Sequence, residues 1–194
     1  RLHYGIQNIH TEIEGPYTGE ISATQAKDAG VKFALVGHAE RRAMGESDDV
    51  VAQKAFSAVM SNISPIICIG ESVHDAGGQY LQILSAQLLS AISKVPQQAR
   101  TRILIAYEPV YAIGASQPPA PHDIHQNLLF IKQTLIKECG ASVARKIRLL
   151  YGGAVTAETV GEMIATIPEL DGFLVGRASA DPLKLKELMK AMSV

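Results

Sequence analysis

Six short apolar runs, each ending in a polar or glycine-containing pair and followed by a longer stretch, recur along the 194 residues of the chain. They are Leu2 to Ile6, Lys32 to Val36, Pro65 to Ile69, Ile103 to Tyr107, Ile147 to Tyr151 and Gly172 to Val175. Runs of this length, bounded by glycine, proline and polar residues, read as strands. The intervening segments carry helical periodicity. Leu81, Leu84, Leu88, Ile92 and Val95 fall at helical spacing between the third and fourth runs, and Leu128, Ile131, Leu135 and Ile136 do so after the fourth. Strands alternating with helices form parallel sheets, because a parallel neighbour is reached only through a crossover. The expected class is α/β, with six parallel strands covered by helices. No linker or low-complexity stretch interrupts residues 1–194, which read as a single domain.

A chain that is 47% apolar with a formal net charge of −1 can build one core but offers no basic surface for nucleic acid. A small molecule or another protein is the expected partner. Cys68 and Cys139 form neither a CxxC pair nor a disulfide framework, which fits a reducing, cytoplasmic location. No apolar stretch approaches the ~18 residues of a membrane span, so no membrane partner is expected. No targeting leader is expected from the opening residues.

The strand ends carry the chemistry: Gln7-Asn8, Gly37-His38, Gly70-Glu71, Glu108-Pro109, Gly152-Gly153 and Gly176-Arg177. In parallel α/β folds, sites collect at that edge. Glu108 reads either as a structural carboxylate satisfied by backbone donors or as a general base whose pKa rises in a partly dry site. His38 reads either as a packed or surface residue or, near a helix start, as a neutral donor to a substrate oxygen. Glu40, Arg41 and Arg42 read as ion-paired residues that hold the adjoining loop. The segments "LLYGGAV" (149–155) and "FLVGRAS" (173–179) are glycine turns; such turns also let backbone N–H groups approach an anion. "HTEIEGPYTGE" (10–20) reads as a polar surface loop.

Six stretches taken together are more specific than any one of them: "PYTGEIS" (16–22), "VGHAERR" (36–42), "CIGE" (68–71), "YEPVYAIG" (107–114), "YGGAV" (151–155) and "DGFLVGRAS" (171–179). In order and spacing they resemble the triosephosphate isomerase family along almost the whole chain. The resemblance implies a TIM (β/α)8 barrel, entered at the third βα unit and lacking the first two. It implies an aldose–ketose isomerase of glycolysis and gluconeogenesis that interconverts D-glyceraldehyde 3-phosphate and dihydroxyacetone phosphate with no metal and no organic cofactor. By the same resemblance Glu108 moves the proton, His38 polarises the carbonyl and Glu40 supports the site. The substrate phosphate falls to the N–H groups of Gly114, Ala154, Gly176 and Arg177. Pro109 to Pro119, including Ser116, form a lid that latches on Tyr151. The loop carrying Thr18 reaches into a second subunit, implying a homodimer.

The chain also departs from the family. A barrel of this kind typically takes about 250 residues, whereas this chain opens at Arg1 and enters a strand at once. The front is expected to be missing, either cut from a full enzyme or, in a natural truncation, replaced by association with another chain. Six units leave two exposed parallel edges and an open interior. The asparagine and lysine that end the family's first strand have no counterpart, and a catalytically inactive barrel retained for binding is the alternative this raises. Ala39 and Ala154 replace serines, Ser116 and Pro119 stand where the lid has glycine and alanine, Pro119 has no N–H for a latch, and Arg177 replaces a glycine. Arg177 resembles relatives acting on four-carbon ketose phosphates, so a tetrulose phosphate is the alternative substrate.

Overall fold

The computed structural model describes residues 2–113 and 119–192. One sheet holds six parallel strands in chain order: β1 (Gly5–Ile6), β2 (Phe33–Val36), β3 (Ser64–Ile69), β4 (Leu104–Tyr107), β5 (Arg148–Tyr151) and β6 (Gly172–Phe173). Between and after them run α1 (Ala23–Asp28), α2 (Ala39–Ala43), α3 (Asp48–Met60), α4 (Tyr80–Ser93), α5 (Pro121–Cys139), α6 (Ala141–Ala144), α7 (Ala157–Thr166) and α8 (Pro182–Ala191). The sheet is a partial barrel: among the described residues its edges, β1 and β6, do not pair with each other.

The four inner strands lie within a residue of the apolar runs. The outer two are shorter than expected, at two residues each. An edge strand has a pairing neighbour on one side only, and Leu2 and Tyr4, expected within the first strand, are 96% and 78% exposed.

Strand alternation sorts side chains onto two faces. Ala34 and Val36, Ile67 and Ile69, Ile105 and Tyr107, Leu149 and Tyr151 join helix residues such as Val51, Ala55, Leu84, Leu88, Leu128 and Ile131 in one buried cluster. The other parity, which carries Leu35, Ile66, Cys68, Leu104, Ala106 and Leu150, forms the concave face. Leu35, Ile66 and Leu150 remain half-buried there. The apolar stripe of α4 holds as expected at Leu84, Leu88 and Ile92. That of α5 holds at Leu128, Ile131 and Leu135, whereas Ile136 faces outward.

Local signals set the helix ends. Ser22 and Gln25 form a reciprocal capping box at α1, Ser47 caps α3, Thr156 caps α7, and Asp181 with Pro182 starts α8. The Ser22 hydroxyl accepts the Gln25 N–H at 3.2 Å while the Gln25 side chain accepts the Ser22 N–H at 2.9 Å. Ser22→Ala should therefore cost about 1 kcal/mol and lower Tm by about 2–4 °C, measured by calorimetry. Among the described residues no helix is long and apolar enough to cross a membrane.

Candidate active site

Register places Glu108 between two glycines. Tyr107 pairs with Ile69 of β3 on one side and with Tyr151 of β5 on the other, so the next rung reads Gly70, Glu108, Gly152. The Glu108 N–H donates to the Ile69 carbonyl and the Gly152 N–H to the Tyr107 carbonyl, each at 2.8 Å. A methyl group on Gly70 would sit 1.8 Å from the Glu108 carbonyl oxygen, and one on Gly152 would sit 2.8 Å from its Cγ. Gly152, read in the sequence as part of a turn, and Gly70, read as a strand end, are here the clearance for Glu108. Tyr107 turns its phenol to the helix side, so the carboxylate of Glu108 continues the concave parity of Leu104 and Ala106.

That carboxylate is 5% exposed. Burial pushes its pKa above the usual carboxylate range, against the opposing pull of the His38 charge when protonated, the Ala39 N–H, the Cys68 thiol and Arg42. Oε1 lies 3.3 Å from His38 Nε2, and Oε2 is buried with no hydrogen-bond partner among the described residues. A carboxylate with raised basicity and an oxygen in reserve is equipped to accept a proton.

His38 is the N-cap of α2, and its Nδ1 accepts the Glu40 N–H at 3.3 Å. A neutral ring whose Nδ1 accepts must carry its proton on Nε2, the nitrogen that faces Glu108. The approach to His38 is held by Arg42, which donates to the carbonyls of Gly37 at 2.8 Å and Cys68 at 3.2 Å and pairs with Asp48. Arg41 pairs with Glu46 at 2.7 Å, and Glu46 also meets the buried Lys54, whose ammonium reaches Asn8 Oδ1 at 2.7 Å. Burial raises the pKa of Glu46, but Lys54 and Arg41 outweigh it and hold the carboxyl below its ordinary range. The expected ion pairs thus exist for the two arginines, with acids further along the chain. Glu40 takes no part in them: its side chain is 82% exposed, with the carboxylate 3.8 Å from His38 Nδ1.

Cys68, absent from the sequence-based site, lies on the concave face beside Ala106, with its thiol close enough to Glu108 to lower that carboxyl's pKa. Burial and then the neighbouring negative charge push its thiol pKa up, so it stays a neutral donor. Period-two parity with Glu108 was the signal that could have found it.

The remaining residues spread along the rim. Ala154 is half-buried in the β5–α7 loop, while Gly176 and Arg177 are exposed where a 3₁₀ turn, Arg177–Ala180, begins. Arg177 lines a cleft of about 490 Å³ with Thr156, Glu158, Lys184 and Glu187. The Tyr151 hydroxyl is buried against Gly153 with no hydrogen-bond partner among the described residues; burial pushes its pKa up to about 12, with the nearby Ala154 amide pulling the other way. Pro109 leads into a 3₁₀ turn, Val110–Ala112, and Pro119 is half-buried ahead of α5. Gly114 and Ser116 lie outside the described residues. Thr18 is exposed in the loop whose base is closed by the His10 N–H on the Ile21 carbonyl at 2.8 Å. Among the described residues no three His, Cys, Asp or Glu side chains are grouped to hold a metal ion.

A buried, basic carboxylate facing a histidine at the C-terminal ends of curled parallel βα units defines an α/β-barrel enzyme equipped for proton transfer. The family model for triosephosphate isomerase matches residues 1–192. The triosephosphate isomerase of Carboxydothermus hydrogenoformans is 40% identical over 177 residues, covering 90% of this chain and 70% of that protein. That of Alkaliphilus oremlandii is 37% identical over 190 residues, 97% of this chain and 75% of the relative, and that of Chloroflexus aurantiacus is 39% identical over 181 residues, 92% and 72%. The chain belongs to the triosephosphate isomerase family, isomerases that interconvert D-glyceraldehyde 3-phosphate and dihydroxyacetone phosphate.

Proposed function

We propose that Glu108 is the base and His38 the electrophile of a triose-phosphate isomerisation carried out by this protein. The observation that carries the reading is the buried Glu108 carboxylate, one oxygen 3.3 Å from His38 Nε2 and the other without a hydrogen-bond partner among the described residues. Substrate replaces the Glu108–His38 contact. Glu108 then takes the proton from the carbon beside the carbonyl, and the electron pair left behind forms an enediolate. His38 Nε2–H donates to the oxygen where negative charge grows. His38 gives its Nε2 proton to that oxygen and takes one from the neighbouring hydroxyl, and return of the proton from Glu108 to the neighbouring carbon completes the change from aldose to ketose, with no net oxidation and no cofactor. Glu40 braces His38 from outside. Ala154, Gly176 and Arg177, together with Gly114, are the N–H donors for the phosphate. Pro109, Ser116 and Pro119 belong to the covering segment and Tyr151 to its anchor.

A tetrulose phosphate is the second reading, favoured by the exposed Arg177 beside Lys184 in one cleft, a surface that suits a longer polar substrate. Turnover of D-glyceraldehyde 3-phosphate by the full-length protein, compared with a tetrulose phosphate in kcat/KM, separates the two. Preference for the triose is expected; turnover of neither, at a level matched by Glu108→Gln, rejects both.

The raised pKa of Glu108 fixes the acid side of the pH profile. The base is active when ionised, so kcat/KM should fall as pH drops through a value above 4.5, the ordinary value for this side chain. The substrate phosphate also titrates, near about pH 6, so the profile is compared at matched phosphate ionisation. An acid limb below pH 4.5 would contradict the burial of the base.

The loop from His10 to Ile21 exposes Ile13, Tyr17 and Ile21 around Thr18, apolar surface consistent with a homodimer contact. Two buried free thiols, Cys68 and Cys139, suit a cytoplasmic setting.

A further inference from the structure

Behind Glu108, on the helix side of the sheet, lies a polar chain with no part in the proton transfer. The Tyr107 hydroxyl donates to Glu71 Oε1 at 2.9 Å and accepts from Asn127 Nδ2 at 2.8 Å, and the Tyr80 hydroxyl donates to Asn127 Oδ1 at 3.1 Å. Glu71 is fully buried, and its carbonyl accepts the Tyr111 N–H at 3.3 Å. His74 closes the chain on the solvent side: its Nδ1 lies 3.0 Å from Glu71 Oε1, and its ring stands 4.0 Å from that of Tyr80 and 5.1 Å from that of Tyr111. Glu71 therefore touches both ends of the segment Tyr107–Tyr111, in which Glu108 is the second residue.

The chemistry makes His74 important to that hold. An ionised Glu71 only accepts hydrogen bonds, and its Oε2 has no partner among the described residues. Two side-chain donors converge on Oε1, and removing one leaves a buried carboxylate with half its support, a costly change in a low-dielectric interior. Tyr107 is fixed by its strand. His74 is not in a strand or helix, and its ring touches Tyr111 directly.

We propose that His74 is a positioning residue for Glu108: acting through Glu71 and Tyr111, it fixes the Tyr107–Tyr111 segment that presents the carboxylate to substrate. The inference rests on Glu108 as the base. Its test uses two variants of the full-length protein. His74→Phe keeps a ring against Tyr80 and Tyr111 but removes the donor; His74→Asn keeps a donor near the position of Nδ1 but removes the ring. Misplacing a reacting group by ~1 Å can cost about 100-fold. His74→Phe should therefore lower kcat at least about tenfold with KM within about twofold, whereas His74→Asn should keep kcat within about threefold. Hydrogen exchange at the Tyr111 amide, measured without substrate, should quicken about tenfold in His74→Phe while the Ile105 amide is unchanged. Unaltered kcat in His74→Phe, or unaltered exchange at Tyr111, overturns the proposal. If the wild-type protein turns over no substrate, the assignment of Glu108 fails separately, and the exchange measurement still decides whether His74 holds the segment.

Discussion

Glu108→Gln is expected to lower kcat by about 10²–10⁴-fold and, at pH 7, to raise the melting temperature. Both effects come from the same burial. The amide is close in shape to the carboxylate but cannot accept a proton from carbon, so catalysis is lost while packing between Gly70 and Gly152 is kept. The stability effect follows from the direction of the pKa shift. A carboxyl whose folded pKa is raised favours folding in its protonated form, below the unfolded value of about 4.5, and that contribution is lost as pH rises through the folded value. At pH 7 the buried charge of Glu108 is a cost only partly offset by His38, the Ala39 N–H, the Cys68 thiol and Arg42. The neutral amide avoids it. Thermal melts of both proteins should therefore differ in favour of the variant at pH 7 and converge below pH 4.5. A variant that melts lower than wild type at pH 7 would contradict the raised pKa.

Gly70→Ala should destabilise the protein by about 4 kcal/mol or more. The atom in the way is the Glu108 carbonyl oxygen, 1.8 Å from the added methyl, with the carbonyl carbon at 2.7 Å. Neither belongs to a side chain that can rotate aside. Gln87 holds Gly70 in place from α4, accepting its N–H at 2.8 Å and donating to its carbonyl at 3.2 Å. Relief requires β3 and β4 to part where the Glu108 N–H meets the Ile69 carbonyl. The control is Gly161→Ala in α7, where the methyl meets nothing within 4 Å; it should be neutral or stabilise by up to about 1 kcal/mol. Urea unfolding of the two variants checks the contrast, and equal midpoints would rule out the steric argument.

Much of this arrangement could be read from the sequence because two periodicities coincide with burial. Ile103 to Tyr107 reads as a strand because every residue of β4 is buried between neighbours and covering helices. Leu2 to Ile6 misleads because apolar content marks a strand whether or not a pairing partner lies on both sides. At the site, Glu108 and His38 stood out as charged or titratable groups directly after apolar runs. The residues that support them did not. Cys68 is one more apolar position in its run until the register sets it beside Ala106 on the concave face. Glu46 and Lys54 carried no signal in the sequence, and only the fold brings Lys54 to Asn8 across 46 residues. Glu71 read as a polar strand end, yet its partner Tyr107 lies 36 residues further on, and Asn127, which donates to the Tyr107 hydroxyl, lies another 20 beyond that. Glu40 was read from adjacency to His38, and α2 sets its carboxylate at the solvent edge, 3.8 Å from His38 Nδ1.

Proton transfer by Glu108 is tested most directly by solvent exchange. D-Glyceraldehyde 3-phosphate incubated with the full-length protein in D₂O and followed by proton NMR should yield dihydroxyacetone phosphate carrying deuterium from solvent, because the abstracted proton resides on a carboxylate that can exchange before returning it. Glu108→Gln should leave the substrate protonated and unconverted over the same period. Product formed at the wild-type rate by Glu108→Gln, or no exchange and no product with the wild-type protein, would contradict the assignment of Glu108 as the base.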